Sequence, residues 1–283
     1  MHKQFICLNG KVFPFGEPLL MHNNRAFCYG DAIFETIHAN GTRMQFFTDH
    51  YRRLQKGMDL LHMKKESLPD KNTLEQTIDK LLNKNHLYNG VRIRLSVFRN
   101  TGGFYTPQDN TVSYLIETLP LPDDEYRLNK KGLKTGVFKG LLKQADSLAN
   151  LKTSNSLLYI HAGLFCKEQG IDDCFIMNTE GRLAESVSSN IFVLKNGILL
   201  TPSLDQGCVE GVMRLQIIRL AADLGIKCVE APVHEEDLLE ADECFLTNAI
   251  TGIRWVVAFR HKRYYNKIAN MLISALNREQ FNI

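Results

Sequence analysis

The stretch Leu119-Pro120-Leu121-Pro122-Asp123-Asp124-Glu125 divides the chain. Two prolines and three acids in seven residues neither continue a strand nor begin a core. The stretch therefore reads as a linker, with a smaller domain over residues 1–118 and a larger one over 126–283. The length of 283 residues agrees, being more than one compact domain commonly needs.

Outward from that linker, both halves mix hairpins with amphipathic helices. Asn9-Gly10, Asn40-Gly41 and Asn196-Gly197 each lie between strand-like runs. Asn-Gly suits the two positive φ angles of a type I′ turn, so hairpins are expected early and late. Thr48 is placed to cap a helix with Tyr51, Leu54, Met58 and Leu61 on one stripe. Leu74, Ile78, Leu81 and Leu82 mark a second helix. Val91, Ile93, Leu95 and Val97 alternate with Arg92, Arg94 and Ser96, the pattern of a half-buried strand. Beyond the linker, helices are expected over 154–169, closed by Gly170, and over 212–224, closed by Gly225. Strands are expected at 174–177, 191–194, 227–230 and 243–246. The class is α+β.

Composition removes several functions. A net charge of +3 implies neither a nucleic-acid partner nor an acidic membrane surface. The start, Met1-His2-Lys3-Gln4-Phe5-Ile6-Cys7, has no long apolar run, and no window approaches the roughly 18 apolar residues of a membrane helix. The seven cysteines are odd in number and widely spaced, which fits reduced thiols in a cytoplasm. The nine histidines show no paired ligand spacing, so no metal is expected. GxGxxG, the Walker lysine motif and Gly-x-Ser-x-Gly are absent.

Four weak signals remain. Lys152 lies in a mostly uncharged stretch, Ser147–Thr153, where desolvation makes an amine nucleophilic. Gly211-Val212-Met213-Arg214 opens a helix, whose free N–H groups form an anion seat. Arg53 lies beside the first helix's apolar stripe, and Glu185 precedes a strand. Each alone also reads as an ordinary lysine, helix start, surface arginine or turn carboxylate. Together they are the parts of a pyridoxal-phosphate site: an amine, an acid for the pyridine nitrogen and an anchor for the phosphate.

At this point the sequence resembles the class IV aminotransferase family, the fold-type IV pyridoxal-phosphate enzymes related to D-amino-acid aminotransferase. Tyr29-Gly30-Asp31-Ala32-Ile33-Phe34-Glu35-Thr36 looks like the family's YGDGxFET signature, with Ala32 for a glycine. His50-Tyr51-Arg52-Arg53-Leu54 matches HxxRL, and Lys152-Thr153-Ser154-Asn155 matches the Schiff-base segment. Residues 183–192 resemble TExxxxNxF, with Ala184 for a threonine. Thr201-Pro202 with Gly211-Val212-Met213-Arg214 resembles TP…G[IV]xR. Ala241-Asp242-Glu243 with Thr247-Asn248-Ala249 resembles the closing block.

The resemblance implies that Lys152 forms the internal aldimine and moves the proton on the substrate carbon. It implies that Glu185 pairs with the pyridinium nitrogen. Arg53, the Val212 and Met213 N–H groups and Asn248 would hold the phosphate, with Ser189 and Asn190 also in the cofactor site. Tyr29 and Arg94 would face substrate. It implies two unequal domains with the cofactor between them, in a homodimer.

Three details are similar to the 4-amino-4-deoxychorismate lyases, an enzyme of folate biosynthesis, rather than to branched-chain enzymes. They are the Lys152…Asn155 spacing, Thr247-Asn248-Ala249, and Leu204-Asp205-Gln206 leading into Val209-Glu210-Gly211. The altered segment around Leu95–Phe104 and Arg254-Trp255 depart from the lyase pattern, which bears on the substrate pocket. A substrate with two carboxylates calls for cations. Arg25, Arg43, Arg94, Arg99 and Arg254 are the candidates. The alternatives are an aminotransferase acting on branched-chain or D-amino acids, and a cofactor-free binding protein.

Overall fold

The computed structural model describes residues 4–281 and divides into two compact units. Residues 1–3 of the N-terminal stretch read above lie outside the described residues. Unit 1 comprises 1–125 with 151–155, and unit 2 comprises 126–150 with 156–283.

Unit 1 contains, in order, β1 (Phe5–Leu8), β2 (Lys11–Pro14), α1 (Arg25–Tyr29), β3 (Ala32–Asn40), β4 (Arg43–Met44), α2 (Phe47–Leu60), α3 (Lys71–Lys84), β5 (Gly90–Arg99) and β6 (Val112–Pro120). Its sheet is antiparallel, in the order β2-β1-β6-β5-β3-β4. The alternation read from the sequence explains its core. Val91, Ile93, Leu95 and Val97 are buried, together with Leu54 and Met58 of α2 and Leu74, Ile78, Leu81 and Leu82 of α3. Burying these side chains contributes roughly 1.5–3 kcal/mol each.

Some local readings change. Asn9-Gly10 forms the expected turn, with φ of 50° and 80°. In the β3–β4 hairpin, Asn40 pairs with Arg43, so the turn falls on Gly41-Thr42 and only Gly41 has positive φ. Thr48 does not cap α2, because the helix starts one residue earlier, at Phe47. β6 runs through Leu119 and Pro120, which pair with Arg92 and Val91. The linker is thus shorter than its sequence suggested, since a proline is tolerated where a strand ends.

The segment 151–155 joins unit 1 because its backbone pairs with β3. The Phe34 N–H donates to the Lys152 carbonyl at 2.9 Å, and the Ser154 N–H to the Ala32 carbonyl at 2.9 Å.

Unit 2 contains β7 (Leu133–Lys143), α4 (Leu157–Gln169), β8 (Asp173–Asn178), β9 (Leu183–Ser186), β10 (Asn190–Lys195), β11 (Ile198–Thr201), α5 (Val212–Asp223), β12 (Cys228–Glu230), α6 (Glu235–Glu240), β13 (Glu243–Asn248), β14 (Gly252–Phe259), β15 (Lys262–Arg263) and α7 (Lys267–Phe281). Its mixed sheet has the order β12-β11-β10-β13-β14-β7-β8-β9, with β15 on β14. Phe192 and Phe245 are fully buried and stack at 5.2 Å between β10 and β13. α4 packs on β7 and β8, while α5 and α7 pack on β13. Gly170 closes α4 in the left-handed conformation, φ 63°, as its sequence position implied.

Candidate active site

In unit 1, β3 presents two faces with different chemistry, because successive side chains alternate. Glu35 points to α2, whose helical spacing brings His50 and Arg53 onto it. Arg53 grips Glu35 with two parallel bonds, Nε to Oε1 at 2.9 Å and Nη2 to Oε2 at 2.5 Å. His50 Nδ1 lies 2.6 Å from Oε2. The carboxylate can only accept, so Nδ1 carries the proton. Burial alone pushes the Glu35 carboxyl up, but Arg53 and His50 outweigh it and hold the group near 2. Burial pushes His50 down, against the pull of Glu35, which favours the neutral ring.

Next to Glu35, Phe34 presents its ring on the other face. The Lys152 ammonium lies 4.6 Å from the ring centroid and the Arg94 guanidinium 3.8 Å. Both cations are thus attracted to one aromatic ring. A small cavity is lined by Glu35, Arg53, Gly57 and Lys152 among other residues, so Arg53 and Lys152 open onto the same space. Gly57 allows the close approach of α2. A Cβ there would come within 3.1 Å of Ile33 Cδ1.

The other candidate arginines behave differently. Arg25 is buried and pairs with Asp31 at 2.8 Å, and its Nη1 donates to the carbonyls of Gly102, Gly103 and Phe104. Arg99 pairs with Asp31 at 2.9 Å and donates to Asn110 and to the Leu61 carbonyl. Both are engaged with Asp31, and Arg25 with the carbonyls of the 102–104 loop. Arg43 is exposed. Arg94 is half-buried and bonds Ser96 Oγ at 3.2 Å. Tyr29 is partly exposed, with its ring 5.6 Å from that of Tyr105.

In unit 2, Glu185 on β9 is 3% exposed. Its Oε1 accepts from the Tyr159 hydroxyl at 2.6 Å and from Lys143 Nζ. Its Oε2 accepts from the Val209 N–H at 2.8 Å. Burial pushes the Tyr159 hydroxyl far up, and the Glu185 charge adds to this, so Tyr159 stays a donor. Lys143 and Tyr159 were not singled out in the sequence. Their signals there are faint: one lysine late in a strand, one tyrosine on a helix.

Val209 is held on both sides. Asn190 Nδ2 donates to its carbonyl at 2.8 Å while its N–H serves Glu185. Two residues later Gly211 begins α5, and no side chain caps its first turn. A Cβ at Gly211 would fall 1.9 Å from Asn190 Oδ1, so only glycine lets the loop settle there. The uncapped N–H groups of Val212 and Met213 give an anion seat at a helix of 12 residues. Asn248 Nδ2 donates to Ser189 Oγ at 2.9 Å, and its Oδ1 accepts from the Ile250 and Thr251 N–H groups at 3.0 and 2.9 Å. The buried Thr247 hydroxyl, opposite Asn190 in the β10–β13 pair, has no protein partner among the described residues.

Unit 2 holds a buried acid and an uncapped, glycine-led helix; unit 1 holds an amine and a clamped arginine on one cavity. The family model described as amino-transferase class IV matches residues 32–259, which contain every one of them. The chain belongs to the class IV amino-transferase family. It is an enzyme of that family, with the α+β fold read from the sequence.

The chain is 29% identical to a putative branched-chain-amino-acid aminotransferase of Methanocaldococcus jannaschii, covering 88% of this chain and 85% of that one. It is 27% identical to an aminodeoxychorismate lyase of Bacillus subtilis, covering 88% and 84%. The fold matches a branched-chain amino acid aminotransferase of Thermobaculum terrenum solved in its PLP form. The TM-score is 0.85 at 22% identity, over 99% of this chain and 94% of that one.

Proposed function

We propose that this chain is a pyridoxal-phosphate enzyme acting as an aminodeoxychorismate lyase, releasing pyruvate and 4-aminobenzoate. The observation that carries the cofactor reading is the pair of anchors. Arg53 and Lys152 share a cavity in unit 1, and the glycine-led start of α5 in unit 2 is closed to any Cβ. The residues present fit the group: α5 starts at Gly211 with no side-chain cap, leaving the Val212 and Met213 N–H groups for an anion, and Glu185 offers an acid to a ring nitrogen. Pyridoxal phosphate, when bound, supplies an aldehyde that takes up an amine and a ring that draws electrons from the adjoining carbon.

The chain's residues do the rest. Lys152 would hold the cofactor by its amine and would move the proton at the substrate carbon. For the phosphate, unit 1 would offer Arg53, fixed by Glu35, and unit 2 the Val212 and Met213 N–H groups. Ser189 and Asn248, bonded to each other, line the same part of the site with Asn190. Arg94 faces a substrate carboxylate, and Tyr29 borders the substrate. In the lyase reaction a proton leaves the ring carbon bearing the amine, the C–O bond to the pyruvyl group breaks, and the ring becomes aromatic. No second amino or oxo acid is consumed.

The lyase reading is supported by the Lys152…Asn155 spacing and the Thr247-Asn248-Ala249 segment, both similar to the lyases, and by the B. subtilis relative. The M. jannaschii relative favours the second reading, an aminotransferase with a 2-oxo acid acceptor. The same proposal includes a homodimer. Leu157, Ile160 and Leu164 form an exposed apolar stripe on α4 at 73%, 54% and 51% exposure, which a second copy would cover. It also includes a cytoplasmic location. The seven cysteines are all free, and among the described residues no helix is long and apolar enough to cross a membrane.

The test is direct. Incubation with aminodeoxychorismate should yield 4-aminobenzoate by fluorescence and an equal amount of pyruvate. Alanine, glutamate, D-alanine or branched-chain amino acids should leave the absorbance of the bound cofactor unchanged. A change with one of them, and no 4-aminobenzoate, supports the aminotransferase. Absence of both results overturns the lyase reading.

A further inference from the structure

The acid in unit 2 does not stand alone. Glu185 is held by a buried lysine on β7, a tyrosine on α4 and a backbone N–H from the loop before α5. A carboxylate has about four lone-pair sites. Three are occupied, and one of the three donors is a cation. Lys143 and Glu185 side chains are 7% and 4% exposed, so water screens their attraction little. The other titratable group facing this cluster is Cys208, whose thiol burial pushes up to about 11. Tyr159 and Cys208 are therefore neutral; Arg214 also acts on the Cys208 thiol, and Lys143 is the cation hydrogen-bonded to Glu185 among the described residues.

We infer that Lys143 sets the proton affinity of the cofactor's pyridine nitrogen by holding part of the charge of Glu185. The inference rests on the reading of Glu185 as the partner of that nitrogen. A free buried carboxylate would hold a proton on the nitrogen strongly. A carboxylate already shared with an ammonium holds it less, because the protonated ring becomes a second cation on one anion. The enzyme keeps the acid but moderates the ring as an electron sink. Lys143 is thus a positioning residue, acting through Glu185 rather than on substrate. Tyr159 and the Val209 N–H fix the carboxylate without adding charge.

The experiment uses holoenzyme loaded with cofactor labelled with ¹⁵N in the ring, whose nitrogen chemical shift reports protonation. The shift is followed against pH in the wild-type protein and in Lys143→Met, Lys143→Arg, Tyr159→Phe and Glu185→Gln. Lys143→Met should raise the midpoint of the nitrogen titration by about one pH unit or more. Lys143→Arg, which keeps the cation, should restore it to near the wild-type value. Tyr159→Phe should move it less than Lys143→Met. Glu185→Gln should lower it. If Glu185→Gln leaves the midpoint in place, the assignment of Glu185 fails. If Glu185→Gln moves it while Lys143→Met, still binding cofactor, does not, the role of Lys143 is overturned. Should Lys143→Met not fold, Lys143→Gln at the same position gives the same comparison, and a midpoint equal to wild type overturns the inference.

Discussion

Replacing Glu35 by glutamine removes one charge from the buried group that fixes Arg53. Glu35 is 2% exposed, His50 1% and the Arg53 side chain 9%. Two routes give the cost. A carboxyl held near 2 in the folded protein, against 4.5 ordinarily, contributes about 3 kcal/mol at neutral pH. Removing one partner of a buried pair costs about 3–5 kcal/mol, because the other charge stays buried. Both point to a loss near 3 kcal/mol.

The sign follows from linkage. The folded value is depressed, so the contribution is fully present above pH 4.5 and is lost as pH falls towards 2. Urea unfolding at pH 7 should show Glu35→Gln with a midpoint lower by about 1–3 M, given m-values of about 1–3 kcal/mol/M. The stability gap between the two proteins should narrow by about 2 kcal/mol between pH 6 and pH 3. A midpoint shift below about 0.3 M, or a gap that is constant across that range, would refute the reasoning.

Other outcomes follow from the same contacts. Gly211→Ala sets a Cβ against Asn190 Oδ1 and should weaken cofactor binding about tenfold or more, for a strain of about 1–3 kcal/mol, measured by fluorescence titration. Arg25→Ala removes the donors to the Gly102, Gly103 and Phe104 carbonyls, so amide exchange should speed up across 100–108 while 151–155 stays protected. Lys152→Ala should abolish turnover with the circular-dichroism spectrum intact; retained turnover removes Lys152 from its central place. Among the cysteines, exposed Cys28 should react first with a thiol reagent, and buried Cys208 and Cys244 only on unfolding, read by mass spectrometry.

Much of the fold was legible because its signals are local. The alternation of Val91–Val97, the stripe of Leu74–Leu82 and the glycine after α4 each specify one element from neighbouring residues. The candidate site residues Arg53, Lys152 and Glu185, and the helix start at Gly211, could be proposed for the same reason, since each lies in a short ordered motif. What escaped depends on distant partners. Lys143 is 42 residues from Glu185, and no spacing rule joins a strand end to a strand in that way. Arg25 and Arg99 were two of five candidate cations in the sequence, which gives no sign that both pair with Asp31. The cap of α2 was misplaced because Phe46 takes φ 55°, which its side chain does not announce. The 151–155 segment follows β3 rather than its sequence neighbours, a choice made by two backbone hydrogen bonds.

Val209 offers a last consequence. Its N–H is tied to the acid and its carbonyl to the asparagine that seats Gly211. The span from acid to anion seat is therefore a fixed gauge, cut by the protein before any ligand arrives. On the proposed reading, a cofactor analogue with a phosphate arm one bond longer should bind more weakly than pyridoxal phosphate, as read by fluorescence titration, and equal affinity would remove this role from Val209. The gauge is set by the main chain on both sides of Val209, and its side chain takes no part.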